Sequence, residues 1–349
     1  PVEVTILSLP ALVTNNQTVC APSTVDLTSP PVTAGSDANL SFTYWKDENA
    51  TIALDNPSSV SSGTYYIRAM ASTGCAVIRQ VLVTVIPLPN LITHNQTVCA
   101  PATVDLSDPN VTNGSETGLK LTYWTNQSAT EPLNDPTAVG SGTYYIKAVA
   151  NTGCEIVKAV VVTVNPQPIL SVNDPAPVCA PGNINLTAAA ITTGSDANLT
   201  LSYWRDANAS QPLNNPNAVN QSGTYFIRAI NSFGCSIVKP VAVTVWGTPQ
   251  LVINQPQPVC APATVDITTA AITAGSDANL SLSYWLNSNA TNSLNAPNAV
   301  SQSGTYYIRA VNANGCITIK PVTVIVNALP EITIDGQDSL CLGLSTNLI

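Results

Sequence analysis

Ser62-Gly63-Thr64-Tyr65-Tyr66-Ile67-Arg68-Ala69, followed by Gly74-Cys75, is the stretch whose reading decides the fold. It returns as Ser141 to Ala148 with Gly153-Cys154, as Ser222 to Ala229 with Gly234-Cys235, and as Ser303 to Ala310 with Gly315-Cys316. A polar turn, an aromatic strand and a cysteine thus recur four times with a period of about 80 residues, the signature of a tandem array. Alternation along a strand predicts that Tyr65, Ile67 and Ala69 face inward while Tyr66 and Arg68 face outward. An inward Tyr buries its ring and sends its hydroxyl back to the turn. The third copy supports this division, because Tyr225-Phe226 loses the hydroxyl only at the outward position.

Working outward from that strand, each repeat shows the same order. A Val-Cys-Ala-Pro turn (Val19–Pro22, Val98–Pro101, Val178–Pro181, Val259–Pro262) precedes a short alternating strand and a Gly-Ser loop. A strand ending in Tyr-Trp follows (Tyr44-Trp45, Tyr123-Trp124, Tyr203-Trp204, Tyr284-Trp285), then a proline turn, the opening stretch, and a Val/Ile-rich strand. Six or seven short strands per repeat with no helical period predict an all-β fold, a tandem array of small antiparallel β-sandwiches. Repeats are placed at 11–89, 90–168, 169–249 and 250–330. The joints are Pro87-Leu88-Pro89, Pro166-Gln167-Pro168, Gly247-Thr248-Pro249 and Ala328-Leu329-Pro330. Residues 1–10 read as the end of a preceding repeat and 331–349 as the start of a truncated fifth, so the chain reads as a window on a longer array. Short proline-bearing joints favour a semi-rigid string.

Composition narrows the function. Of the 349 residues 45% are hydrophobic but only 9% charged, so the surface is built from Asn, Thr, Ser and Gln. A net charge of −9 lacks the basic footprint that nucleic acid requires and opposes docking on anionic membrane. No run of about 20 apolar residues is long enough to span a bilayer.

Together, Val-Cys, Tyr-Trp, Gly-Thr-Tyr-Tyr and Gly-Cys followed by a Val/Ile strand resemble the immunoglobulin (Ig)-like repeats of large Bacteroidota surface proteins. Ser-Gly-Thr-Tyr-Tyr-Ile-Arg-Ala resembles strand F of an Ig domain, with Ile67 where that strand carries its core cysteine. The resemblance implies a tyrosine corner at Tyr65 and a core Trp in each Tyr-Trp pair. It further implies an extracellular, bacterial-surface location, type IX secretion, gliding-motility association and a role as an adhesin shaft. Partners expected on this reading are neighbouring repeats of the same chain, other copies in a fibre, or surface glycans.

Nine cysteines fall at 20/75, 99/154, 179/235 and 260/316, plus Cys341, with separations of 55 or 56 residues. One bridge per repeat (Cys20–Cys75, Cys99–Cys154, Cys179–Cys235, Cys260–Cys316) is expected, with Cys341 left over. A competing register joins Cys75 to Cys99 across the joint. The intra-repeat pairing requires Cys20 to lie at the same end of its module as Cys75, within about 7 Å between Cα atoms. Paired cysteines place the chain outside the cytoplasm.

No catalytic constellation is legible. His94 is the single histidine and sits at a joint, without the repeated partners that nucleophilic catalysis needs. Asp37, Asp196 and Asp277, replaced by Glu116 in the second repeat, are weak calcium candidates, with an Asx-type turn as the default. Tyr66, Arg68, Arg79, Tyr145, Lys147, Lys158, Phe226, Arg228, Lys239, Tyr307, Arg309 and Lys320 suggest an aromatic–basic stripe along one sheet face. Such a stripe serves as cross-strand cover or as a surface for another chain or an acidic glycan. Trp246, standing where other joints have Ile86, Asn165 or Asn327, is expected to pack between the third and fourth modules. The functional expectation is a structural or adhesive shaft, not an enzyme; the alternatives are a binding module using the aromatic–basic face and a self-assembling fibre subunit.

Overall fold

A computed structural model of the chain describes residue 2 and residues 6–332. Two compact units, Pro1–Gln167 and Pro168–Ile349, divide it. The first unit contains β1 (Gln17–Cys20), β2 (Ser41–Trp45), β3 (Gly63–Met70), β4 (Ala76–Ile86), β5 (Gln96–Cys99), β6 (Lys120–Trp124), β7 (Gly142–Val149) and β8 (Glu155–Asn165). Its two four-stranded sheets run β1-β4-β3-β2 and β5-β8-β7-β6. The second unit contains β9 (Val178–Cys179), β10 (Thr200–Trp204), β11 (Gly223–Ile230), β12 (Ser236–Val243) and β13 (Val245–Trp246). It continues with β14 (Val259–Cys260), β15 (Ser281–Trp285), β16 (Gly304–Val311), β17 (Ile317–Val324) and β18 (Val326–Asn327). The strand order repeats there, with the long last strand interrupted between β12 and β13 and between β17 and β18. The chain is an all-β tandem array of Ig-like modules.

The quoted stretch is the central strand of each sheet. Ile67 and Ala69 are fully buried, as are Ile146, Ala148, Ile227, Ala229, Ile308 and Ala310. The expected tyrosine corner is present in all four copies: the Tyr65, Tyr144, Tyr225 and Tyr306 hydroxyls donate to the carbonyls of Ser61, Gly140, Gln221 and Gln302 at 2.9–3.2 Å. Four separate hydrophobic cores follow the repeat, centred on Ile67, Ile146, Ile227 and Ile308.

The layer facing this sheet is thinner than six or seven strands require. It consists of isolated antiparallel bridges, Val25↔Val60, Val104↔Val139, Ile184↔Val219 and Val265↔Val300, backed by the buried Leu27, Leu106, Leu186 and Ile267. Two local features stop these bridges from growing into ladders. Pro57 accepts from Leu27 N–H but has no N–H to return. Asp26 Oδ1 accepts the N–H and hydroxyl of Thr28, turning the chain away.

The Tyr-Trp strand also differs from expectation. Tyr44, Tyr123, Tyr203 and Tyr284 join the cores, whereas none of the Trp residues after them does. Trp45 pairs with the outward Tyr66, and its indole N–H donates to Thr43 Oγ1 at 3.0 Å. Trp124, Trp204 and Trp285 repeat this contact two residues back. Adjacent residues on a strand point to opposite faces, so a buried Tyr44 puts Trp45 outside.

Candidate functional site

The joints between modules are the most constructed places in the chain. β1 runs parallel to β4, with Gln17 opposite Val83 and Cys20 opposite Ile86. It therefore ends at the exit end of its module, beside Pro87. Cys75 immediately precedes the first residue of β4, at the entry end. Ten residues of strand separate Ala76 from Ile86, about 33 Å at the usual rise. No disulfide spans that distance.

Cys20 instead bonds Cys154, with a Cα–Cα distance of 5.6 Å and a sequence separation of 134. Cys179 bonds Cys316, with a Cα–Cα distance of 5.5 Å and a separation of 137. Cys99 and Cys235 are also disulfide-bonded. The expected bridges Cys20–Cys75, Cys99–Cys154, Cys179–Cys235 and Cys260–Cys316 are thus replaced by bonds from one module to the next. The competing Cys75–Cys99 register fails as well. Among the described residues Cys75 and Cys260 are free thiols; Cys341 lies outside them.

Each half of the joint is preset by backbone geometry. On the exit side, the residue after the cysteine closes onto the last strand: Ala21 N–H donates to Ile86 O, and Ala180 N–H to Trp246 O, both at 2.8 Å. On the entry side, the turn before Cys154 is closed by Gly153 N–H to Ala150 O and by Ala150 N–H to Cys154 O, both at 2.9 Å. Gly153 has φ +87°, a left-handed conformation that glycine adopts without strain. Trp246 is half-buried opposite Cys179, at the end of the strand leading into the joint with the fourth module.

The acidic residues considered for calcium fasten the entering chain. Asp37 Oδ2 accepts Ala11 N–H at 2.7 Å, and Asp37 N–H donates back to Ala11 O at 3.0 Å. Asp196 makes the same reciprocal clasp with Ile169, Asp277 with Gln250, and Glu116 with Asn90. Among the described residues no group of three or more His, Cys, Asp or Glu gathers to hold a metal. His94 also belongs to a joint: its Nε2 lies 3.0 Å from Asn113 O, a place that Asn15 Nδ2 takes against Ala34 O in the first module.

The aromatic–basic stripe divides. Arg68 stands opposite Ile78, whereas Arg79 stands opposite the buried Ile67. Lys147 and Lys158, Arg228 and Lys239, and Arg309 and Lys320 divide the same way. The pleat thus directs the two basic sets off opposite faces of the sheet. Arg79, Lys158, Lys239 and Lys320 remain exposed, because at that point the last strand has no neighbour beyond it. One outward face keeps Trp45, Tyr66 and Arg68, and the cross-strand aromatic pair recurs as Trp124–Tyr145, Trp204–Phe226 and Trp285–Tyr307. In the second module Lys147 is engaged by Glu155 at 2.7 Å. Tyr66 and Arg79 do both border a shallow depression with Glu48, Asn49, Ile78 and Gln80.

On the inner side of the sheet, burial and then the negative charge of Asp26 push the Tyr44 phenol above its ordinary value. Tyr123 and Tyr284 are raised by burial and then by Asp105 and Asp266, and Tyr203 by burial alone, Asn185 replacing the acid there.

Residues 259–330, a stretch within the fourth module, match the family model of the Flavobacterium inter-domain disulphide bond domain. No curated protein matches the chain. Among solved structures it is similar to the I-band fragment I67–I69 from titin, at 13% identity, covering 69% of this chain and 99% of that one with a TM-score of 0.31. It is also similar to the N-terminal eight Ig domains of Down Syndrome Cell Adhesion Molecule (12%, 91% and 49%, TM-score 0.35) and to extracellular domains 3–5 of Drosophila OTK (14%, 69% and 98%, TM-score 0.26). Scores this low carry no argument, and the Ig-like reading rests on strand order and the tyrosine corner.

Proposed function

We propose that this chain is an extracellular shaft whose joints are covalently latched, so that consecutive Ig-like modules act as one stiffened rod. The modules are bounded at the proline joints, and the rod carries an adhesive tip or forms part of a filament at a bacterial surface. The observation carrying this reading is the Cys20–Cys154 bond between the exit end of one module and the entry turn of the next. A bridge inside a module would raise only that module's stability. A bridge across a joint removes bending and twisting freedom from the string. The reciprocal Asp37-type clasps and the proline joints act in the same sense. Closing loops of this size stabilises the folded chain by about 5 kcal/mol each in the chain-entropy account.

Small-angle scattering of the oxidised and reduced chain tests the proposal. A latched rod shows a narrow distribution of lengths that broadens and shortens on average when a thiol reductant opens the joints. Identical distributions in the two states would reject it.

A second reading, capture of glycans or protein on the shaft, is favoured by an outward Trp paired with Tyr or Phe and neighboured by Arg or Lys, repeated in each module. Trp204→Ala should then lower retention on an immobilised glycan panel while leaving the thermal midpoint almost unchanged. Unaltered retention of the variant, or none by the parent chain, would remove this reading.

A further inference from the structure

We propose that the third module binds a carboxylate-bearing sugar, of the uronic acid class, in a pocket beside Arg205. The site goes beyond the shaft reading and lies apart from the outward Trp204–Phe226 pair, neither of which lines it.

A salt bridge present in the first module is half missing in the third. Lys46 follows the first Tyr-Trp pair, and its Nζ lies 3.1 Å from Asp55 Oδ2. In the third module Arg205 follows Trp204, and Asn214 stands after Leu213 where the first has Asp55 after Leu54. The cation is kept, and its carboxylate has become a neutral amide. The module's own three carboxylates are committed elsewhere. Asp174 accepts the Ala242 N–H and Asp196 the Ile169 N–H. Asp206 accepts the N–H groups of Ser210 and Gln211 together with the Ser210 hydroxyl. The second and fourth modules carry Thr125 and Leu286 at the Arg205 position, so a cation without its carboxylate is particular to the third.

Arg205 borders a pocket of ≈ 270 Å³. Leu213, Val219 and Tyr225, all nearly buried, give it an apolar floor, and the Tyr225 hydroxyl is already committed to Gln221 O. Asn214, Asn215, Asn220 and Gln221 form an exposed rim. Among the described residues none of these four amide side chains has a hydrogen-bond partner. Part of the rim is an insertion: three residues lie between Val219 and Gly223, against two between Val60 and Gly63.

These groups define the ligand. A primary amide offers both donors and an acceptor, which matches a sugar hydroxyl that gives and takes a hydrogen bond. A guanidinium holds a carboxylate through two parallel N–H···O bonds. An apolar floor ringed by a few polar groups suits the C–H face of a pyranose. A neutral sugar would leave Arg205 without a counter-charge, and a simple carboxylate would leave the amides unused. A sugar carrying a carboxylate satisfies both. One such residue in an open pocket binds with a dissociation constant on the order of 1 mM.

NMR titration of the isotope-labelled chain with glucuronate tests the site. Glucuronate is expected to shift the side-chain amide signals of Asn214, Asn215, Asn220 and Gln221 and the Arg205 Nε–H. Glucose and acetate should each bind roughly tenfold more weakly, the first lacking the charge-assisted pair and the second the hydroxyls. Asn214→Asp restores the carboxylate that the first module has at Asp55. It gives Arg205 an internal counter-ion and should weaken glucuronate roughly tenfold without lowering the thermal midpoint. Arg205→Leu copies Leu286 of the fourth module and should leave glucuronate binding no better than glucose. Acetate binding as tightly as glucuronate, or either variant binding glucuronate as the parent does, would overturn the inference. Shifts centred on Trp204 and Phe226 would also overturn it, while supporting capture on the outward face.

Discussion

Reduction of the disulfides should change how far the chain can be stretched, and the connectivity sets by how much. Pulled from its two ends, the oxidised chain carries load from residue 1 to Cys20, across to Cys154, on to Cys179, and across again to Cys316. Residues 21–153 and 180–315 lie inside closed loops and bear no covalent tension once the modules open. About 80 residues remain on the load path, a contour of roughly 270 Å at full extension. With the bonds reduced, all 349 residues become extensible, on the order of 1,200 Å. Bridges inside each repeat would instead leave roughly 130 residues, about 440 Å. Single-molecule force spectroscopy with handles at both ends, with and without a thiol reductant, separates these three lengths. An oxidised chain that yields about 440 Å, or that unravels to the reduced length without reductant, would refute the reasoning.

Tyr225→Phe removes the corner hydrogen bond to Gln221 O from a ring that is nearly buried, and should cost its module about 1 kcal/mol, read as a lower urea midpoint. Tyr44, Tyr123, Tyr203 and Tyr284 hold their protons more tightly folded than unfolded, so the stability they confer is full below about pH 10 and is lost as pH rises through their raised folded values. Thermal midpoints measured from pH 8 to 11 should fall at the alkaline end, with a shallower fall in a Tyr44→Phe variant; parallel slopes would count against the assignment. Asp277→Ala opens the clasp on the residue after the joint, so hydrogen exchange at the Gln250 amide should accelerate while Ile308 stays protected. An unchanged Gln250 rate would show that the clasp does not hold the joint.

Local chemistry was legible where its partners are near in sequence. The tyrosine corner joins residues four apart, and alternation alone placed Ile67 and Ala69 inside. The same alternation also places the Trp of the Tyr-Trp strand outside. Leu121 and Tyr123 are apolar at period two, which leaves Thr122 and Trp124 outside, but the likeness to an Ig strand drew the Trp inward. Whether Arg79 shares a face with Arg68 depends on the register that the turn between β3 and β4 sets, which stands Arg79 opposite Ile67. The remaining differences arise from distant partners. The carboxylate of Asp37 meets an N–H 26 residues away, so as sequence it resembled an unattached loop acid. The cysteine pairing is the feature least legible in the sequence. The spacing of the cysteines constrains which modules they belong to, but the pairing follows from the direction of β1. Running parallel to β4, it delivers Cys20 to the joint and away from Cys75.

The central claim is that the disulfides cross the joints, and a peptide map under non-reducing conditions tests it most directly. With free thiols alkylated before digestion, the account predicts Cys20 linked to Cys154 and Cys179 linked to Cys316, with Cys75 and Cys260 alkylated in the monomer. Linkage of Cys20 to Cys75, or of Cys260 to Cys316, would contradict it.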